Sequence, residues 1–270
     1  LGVNTNIALT NKIEKKDEKT ELLLGGDASL NHSNNDTRTI SQRDSYSEEA
    51  TYIDKDSTNT LSQSWDAQMR LEMEYQIDSL NKLILRPQIS YTNSTSAQTN
   101  DYTYDRDSIR INDGYQHQNS LQEEIKASMR ATYNHKFAKP GRSLTMRANF
   151  NFTNTKGKTD TYAWDNLLNQ ALVDQNTLSG NNALSYSLRT SFVEPIYKKN
   201  HLLEMVLSFS GNNRHSVKNQ YSMDSITGDY QYDSIFSNEL SNNMYTEQLE
   251  LNYRWVSEKI DLTAGARVLA

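Results

Sequence analysis

The sequence contains no cysteine and only three prolines in 270 residues. The lack of cysteine excludes a disulfide framework and any metal site built from thiolates. Long apolar runs are also missing: a typical one, Leu22 to Leu24, has three residues, whereas a membrane-spanning helix needs roughly 18. Mean hydropathy is −0.82 and 35% of the residues are hydrophobic, which is little for a chain that must fill a thick core.

Positive charge is not in excess either. The formal net charge is −6 and the pI is about 5.4, and no basic stripe accompanies the aromatic residues, which argues against a nucleic-acid partner. Ser-His-Asp arrangements, phosphate-binding loops and dinucleotide fingerprints are missing, so we expect neither an enzyme nor a cofactor. Because the chain starts at Leu1 without a secretory signal pattern, we expect it to be an excerpt from a longer precursor.

The dominant pattern is strict alternation, which is clearest between Ser64 and Thr92. Every second residue from Trp65 to Ile77 is apolar or aromatic, and the residues between them are polar or charged. Successive side chains of a strand point to opposite faces, so this period predicts an extended segment with one dry and one wet face. The turn composition of Asp78 to Asn81, followed by renewed alternation, predicts a β-hairpin.

The hairpin pattern repeats along the whole chain and predicts about ten strands. The predicted short connections cover residues 12–19, 78–81, 138–142, 198–200 and 257–259. The predicted long polar loops cover residues 31–62, 93–120, 153–182 and 212–243. Outer-membrane barrels alternate short periplasmic turns with long external loops in this way.

Aromatic residues at the ends of the apolar stripes and full charges on the other face favour the same architecture. We therefore predict an all-β fold: a transmembrane antiparallel up-and-down β-barrel of about ten strands, with residues 1–270 forming a section of a larger barrel. Ten strands could also close a small barrel. A soluble β-sandwich, which also has one apolar face per strand, is the alternative fold.

Strand parity assigns each side chain to one of two surfaces. The residues predicted to face lipid are Trp65, Ala67, Met69, Leu71, Met73, Tyr75, Leu83, Leu85, Ile89, Tyr91, Met129, Tyr133, Phe150, Phe192, Phe209, Leu251, Tyr253 and Trp255. The residues predicted to face a water-filled lumen are Arg70, Glu72, Glu74, Arg86, Arg130, Arg147, Arg189 and Arg254. The expected partner of the first surface is outer-membrane lipid.

Two strand ends resemble a known family. Arg189 to Pro195 contains a "Y/F-x-E-P" strand end, and Ile260 to Arg267 contains an "l-x-x-G-x-R" strand. Both are similar to the Bacteroidetes-type outer-membrane β-barrel family related to TonB-dependent receptors. The resemblance implies a barrel of roughly 22 strands, located in the bacterial outer membrane. It also implies an upstream plug domain and uptake of a bulky solute driven by an inner-membrane energy-coupling protein.

Solute uptake is therefore the leading expectation for function. A passive porin-like or structural outer-membrane protein is one alternative, and a soluble secreted β-sandwich that binds a partner is another. No plug domain or energy-coupling motif lies within these residues. Uptake thus follows from the resemblance and not from composition or spacing.

Other candidate sites have plainer interpretations. His135 could pair with a serine as in a lipase-type barrel, but a polar tip at the membrane interface is the preferred interpretation. Glu72 and Glu74 share one strand face without a visible pocket, so we assign them no catalysis. The acidic segments 54–57, 101–107 and 224–229 lack the spacing of a calcium loop, so we expect no metal site. Trp164, Leu167, Leu168, Ala171 and Leu172 recur at helical spacing and predict a short amphipathic helix.

Overall fold

A computed structural model describes residues 3–5, 13–16, 21–197, 200–256 and 261–270. All secondary structure in this part of the chain is β-strand, arranged in one sheet. The strands are β1 (Val3–Thr5), β2 (Ile13–Lys16), β3 (Glu21–Tyr46), β4 (Thr51–Gln76), β5 (Asn81–Arg106), β6 (Ile109–Lys136), β7 (Ser143–Asp165), β8 (Gln170–Tyr197), β9 (His201–Met223), β10 (Tyr230–Val256) and β11 (Asp261–Leu269). In the described ranges, no helix is long and apolar enough to cross a bilayer.

The sheet is an antiparallel meander. From β3 to β11, each strand pairs with the strand before it and the strand after it. β1 and β2 both pair with β3, opposite its residues 30–32 and 21–24 respectively, so they lie one after the other along the same edge. The opposite edge is β11, and no pairing between the two edges occurs among the described residues. The sheet is therefore open and is not closed into a barrel.

The predicted strands two to nine coincide with the starts of β3, β5, β7 and β9 and with the ends of β4, β6, β8 and β10, and predicted strand ten coincides with β11. The prediction of long polar loops is wrong. The polar segments are paired backbone to backbone, and β3 to β10 are 23 to 28 residues long. At ~3.3 Å per residue, a 26-residue strand such as β4 spans roughly 85 Å. Each polar segment is thus a hairpin extension, and its two arms meet in a tight turn.

The extensions escaped prediction for a physical reason. Their side chains on both faces are mostly hydroxyls, amides and charges, so hydropathy carries no period of two there. The hydrogen bonds between paired strands join main-chain groups. They can therefore form whatever the polarity of the side chains, provided that the residues adopt the extended backbone conformation. The β-branched and aromatic residues of these segments suit that geometry.

The turns are made by acidic residues, asparagine and glycine. Asp107 and Ser108 have φ values of 48° and 66°, which is the geometry of a two-residue hairpin turn. Asp78 Oδ1 accepts the main-chain N–H groups of Leu80 at 2.7 Å and Asn81 at 2.8 Å. The Asn81 side chain also donates to Asp78, and together these bonds hold the pKa of the Asp78 carboxyl below its ordinary value. The predicted turn at 78–81 is confirmed.

The predicted helix near Trp164 is wrong. Trp164 ends β7, Ala171 and Leu172 begin β8, and Leu167 and Leu168 lie in the turn between the two strands. Asp165 Oδ1 accepts the main-chain N–H groups of Leu167 and Leu168, both at 2.8 Å, and Asn169 has a φ of 53°. These contacts close a hairpin turn, so the helical spacing of the apolar residues was coincidental.

Some predicted connections are only partly described. The predicted turn at 12–19 is wrong for residues 13–16, because they form β2 and pair with β3. Of the predicted first strand, residues 3–11, the structure describes residues 3–5. The turn residues 198, 199 and 257–259 lie outside the described ranges. The Pro-Gly turn is confirmed: Phe137 N donates to Arg142 O at 3.2 Å, and Gly141 has a φ of 86°.

Candidate functional site

The register shows which side chains share a face, because directly paired residues of neighbouring strands point the same way. One row of paired residues crosses the sheet from β3 to β11. Its members are Leu22, Tyr75, Leu83, Tyr133, Met146, Thr190, Leu207, Leu249 and Val268. All but one are apolar or aromatic, so the alternation found in single strands builds one continuous apolar face.

Every residue predicted to face lipid lies on this face, and every residue predicted to face a lumen lies on the other. No second layer covers the apolar face in the described part of the chain: Met69 is 45% exposed, Ile89 52% and Phe150 44%. The buried hydrophobic residues of the described chain are Ala50, Ala163 and Val206. The sheet therefore lacks the interlayer core that a β-sandwich has.

On the apolar face, the apolar stripes of the single strands lie side by side and form one band, here called the apolar band. This band runs obliquely to the rows of paired residues. On β4 the band ends at Tyr75 on the short-turn side, and the row of Tyr75 meets β10 at Leu249. On β10, however, the band continues to Trp255, six positions further and six strands away. With ~3.3 Å per residue and ~4.8 Å between strands, this edge of the band is inclined by roughly 35° to the rows.

The other edge of the band has a similar slope. On β4 this edge lies at Trp65, and the row of Trp65 meets β9 at Val217. On β9, however, the last large apolar residue of the band on the long-extension side is Phe209. That is a displacement of eight positions over five strands, or roughly 48° with the same spacings. If the band is level, the strands are tilted by roughly 35–48° from its normal, close to the ~35–45° tilt of strands in transmembrane barrels.

Aromatic and histidine rings cluster at the short-turn edge of the apolar face. The His201 ring stacks on Tyr253 and Trp255 at centroid distances of 6.0 and 5.9 Å, and its Nδ1 bonds the Tyr253 hydroxyl at 2.5 Å. His135 Nδ1 lies 2.6 Å from Asn81 Oδ1. These contacts place polar groups on an apolar surface, and the interfacial role of His135 stays a prediction.

Ion pairs order part of the charged face. Arg86 Nε donates to Glu72 Oε1 at 2.8 Å, and Lys82 Nζ to Glu74 Oε2 at 2.8 Å. Arg254 Nε donates to Asp261 Oδ1 at 3.0 Å. The carboxylates at 72 and 74 thus neutralise cations of the neighbouring strand.

A network of polar side chains around a buried valine on the charged face was not found from the sequence. Val206 is fully buried there, in the row of Ser191 and Glu250. Arg189 on β8 reaches toward Glu250 on β10 across β9, with Nη2 3.9 Å from Oε2, and Asn252 donates to Glu250 at 2.7 Å. The alternation within β9 places Val206 on the charged face, but only the register between the strands shows which charged side chains surround it.

Another cluster lies just beyond the apolar stripe of β8, at its short-turn end. Glu194 accepts from Arg142 Nε at 2.6 Å and from Lys139 Nζ at 2.5 Å. Both bonds favour the ionised carboxylate and lower the pKa of Glu194 to about 2. The glutamate of the strand-end motif therefore ties β8 to the turn between β6 and β7.

We expect Glu194→Gln to weaken the fold in a pH-dependent way. Because the folded-state pKa lies below its ordinary value of 4.5, the carboxylate stabilises fully above pH 4.5, and this contribution is lost as the pH falls through about 2. Urea titrations should show a lower midpoint for the variant at pH 7 and a shrinking difference below pH 4.5. Glu48→Gln, at an exposed side chain in the turn between β3 and β4, is the control. A difference that stays constant down to pH 2 would contradict the ion-pair explanation.

No group of three histidine, aspartate or glutamate side chains that could hold a metal occurs in the described ranges. Of the acidic segments considered for calcium, Asp224 accepts the N–H of Ile226 at 2.8 Å and shapes a turn. No protein-family model matches the chain, and no curated protein or solved structure shows significant similarity to it. The resemblance to the outer-membrane barrel family stays a prediction.

Proposed function

We propose that this sheet is a membrane-spanning section of an outer-membrane β-barrel that takes up a solute, in the manner of a TonB-dependent-type transporter. The observation that carries the proposal is the oblique apolar band. Its strands are tilted by roughly 35–48° from the normal of the band. Such a tilt is expected where strands traverse a hydrocarbon layer of constant thickness. The open edges, β1 with β2 and β11, would pair with further strands of the closed barrel.

In this proposal the two faces have different partners. The apolar face contacts lipid tails, and the aromatic residues at its two edges, such as Trp65 and Trp255, lie at the membrane interfaces. The charged face lines a hydrated lumen that guides the solute. The polar hairpin extensions project beyond the band: on β4, residues 51–64 precede it and span roughly 45 Å along the strand. They form an external collar that meets the solute first.

A passive pore is the second candidate, and the charged lumen face favours it equally. The two candidates differ in whether a plug domain and an energy-coupling protein take part, as the family resemblance implies. Import of solute against a gradient in cells, abolished by a protonophore, would support the transporter. Uptake that only equilibrates the solute would support the pore.

Membrane insertion can be tested with the three tryptophans. Single-tryptophan variants are refolded with phosphocholine vesicles, and the fluorescence is measured in lipids brominated at defined depths. We expect Trp65 and Trp255 to be quenched most by bromine near the headgroups. Trp164, which lies twelve residues beyond Phe152 on β7, should hardly be quenched. A monodisperse chain that stays in solution without detergent, or equal quenching of all three tryptophans, would overturn the proposal.

A further inference from the structure

Four arginines cross the charged face as a continuous diagonal, here called the arginine stripe: Arg86, Arg130, Arg147 and Arg189. Arg86 on β5 is directly paired with Arg130 on β6, and Arg147 on β7 is directly paired with Arg189 on β8. Arg130 and Arg147 are diagonal neighbours, because Arg147 is paired with Thr132. The stripe thus spans four adjacent strands in the middle of the sheet.

Two directly opposed pairs of like charge are unfavourable for the sheet. Carboxylates compensate only the ends of the stripe, where Glu72 contacts Arg86 and Glu250 approaches Arg189. Among the described ion pairs, none involves Arg130 or Arg147. Their neighbours along and across the strands are serine, threonine, asparagine and the other arginines. Each opposed pair thus has one arginine without a carboxylate partner among the described ion pairs, and an anionic ligand would offset the remaining repulsion.

The surroundings of the stripe suit an anion. A groove of about 490 Å³ is lined by Arg86, Arg130, Gln88, Asn149 and Ser187, which supply guanidinium, amide and hydroxyl groups. Arg130 Nε donates to Asn149 Oδ1 at 3.3 Å, which leaves its terminal nitrogens for a ligand. Guanidinium groups bind phosphate and carboxylate through paired, charge-assisted hydrogen bonds.

We propose that the arginine stripe binds an elongated polyanionic solute whose phosphate, sulfate or carboxylate groups lie about 5 Å apart at the two directly paired steps and about 7–8 Å apart at the diagonal step between Arg130 and Arg147. Three strand steps and the two-residue shift at the diagonal make the site roughly 16 Å long. This inference rests on the proposed function, because it names the class of solute for the same lumen. The inference predicts that the stripe binds long anions with several charges more tightly than short ones, because a small monovalent anion contacts one guanidinium group at a time.

The test uses the full chain folded in detergent micelles and isothermal titration calorimetry. Tripolyphosphate is the probe, citrate is the carboxylate probe, and monophosphate and spermidine are the short and cationic controls. The double variant R130Q/R147Q removes two charges from the centre of the stripe. R43Q/R214Q removes the same charge from the same face, in the extensions of β3 and β9 outside the stripe, and is the matched control. Urea unfolding of each variant provides the readout of stability.

We expect tripolyphosphate to bind at least ten times more weakly to R130Q/R147Q and within twofold of the parent to R43Q/R214Q. Stability of R130Q/R147Q should be equal to or higher than that of the parent, because like charges are removed. Citrate binding would extend the site to carboxylates, and its absence would restrict the site to phosphate-like groups. Equal loss in both double variants, or loss of binding together with loss of stability, would overturn the inference.

Vesicle flotation of the parent chain separates this inference from the proposed function. A chain that floats with vesicles but binds no tripolyphosphate overturns the arginine site and leaves the membrane assignment in place. A chain that fails to associate with vesicles overturns both.

Discussion

Replacing Met69 by arginine is expected to destabilise the folded chain in vesicles by about 2–4 kcal/mol, the penalty for a cation on the lipid face of a barrel near the bilayer midplane. Met69 lies midway along the apolar stripe of β4, between Trp65 and Tyr75, and is 45% exposed on the uncovered face. Urea titrations of the chain reconstituted in phosphocholine vesicles, followed by tryptophan fluorescence, measure the effect.

The matched control introduces the same side chain one residue away. Gln68 is paired with Ser90, and its row continues to Lys126 on the charged face, so Gln68→Arg places the new cation toward water and should change stability little. Arg70→Ala should likewise be mild. Equal losses for Met69→Arg and Gln68→Arg would show that the two faces see the same solvent, and the lipid assignment would be wrong.

Replacing Gly114 by valine should destabilise the extension of β6 by about 1–3 kcal/mol, the usual cost of overpacking. A Cβ atom at this position would meet the main-chain carbonyl oxygen of Trp164 and, at 2.5 Å, the hydroxyl oxygen of Tyr102. The carbonyl belongs to the neighbouring strand and cannot move aside without breaking the ladder. Limited proteolysis of the extension, read by mass spectrometry, should show faster cleavage in the variant.

Gly180→Val provides the contrast. Gly180 also lies in a strand extension, on β8, but nothing lies within 4 Å of a Cβ atom built there, and valine suits a strand. We expect wild-type cleavage rates for this variant. If valine at 114 were tolerated as well as valine at 180, residues 93–120 would behave as the loop predicted from the sequence and not as paired strands.

Where one face of a strand is apolar, the sequence alone was sufficient. The alternation from Trp65 to Tyr75 predicted both the strand and the face of each side chain, and the register agrees for every assigned residue. Two turns were also predicted correctly from their residue types. Asp78 accepts a main-chain N–H two residues further on, and Gly141 adopts a positive φ, which are the usual roles of aspartate and glycine in turns.

Where both faces are polar, sequence reasoning failed. The segments around Gly114 and Gly180 were predicted as loops, and the residues near Trp164 as a helix, yet all are paired strands or tight turns. In such segments the main-chain ladder supplies the order, and main-chain hydrogen bonds leave no trace in hydropathy.

The candidate site divides in the same way. Parity predicted that Arg130 and Arg147 share the charged face, but it could not show that they are neighbours. Likewise, Glu194 was recognised within a strand-end motif, whereas its contacts with Lys139 and Arg142 join residues more than fifty positions apart. Clusters of this kind depend on how far each strand is shifted against the next.

The sequence by itself determined which side chains of each strand share a face and which of the two faces is apolar, because that property follows from the two-residue repeat of a single strand. Only the tertiary structure decided how the strands are staggered. The stagger turns separate stripes into one oblique apolar band, and it brings four arginines into line. It is set by pairing between main-chain groups far apart in the chain, and a period within one strand contains no record of it.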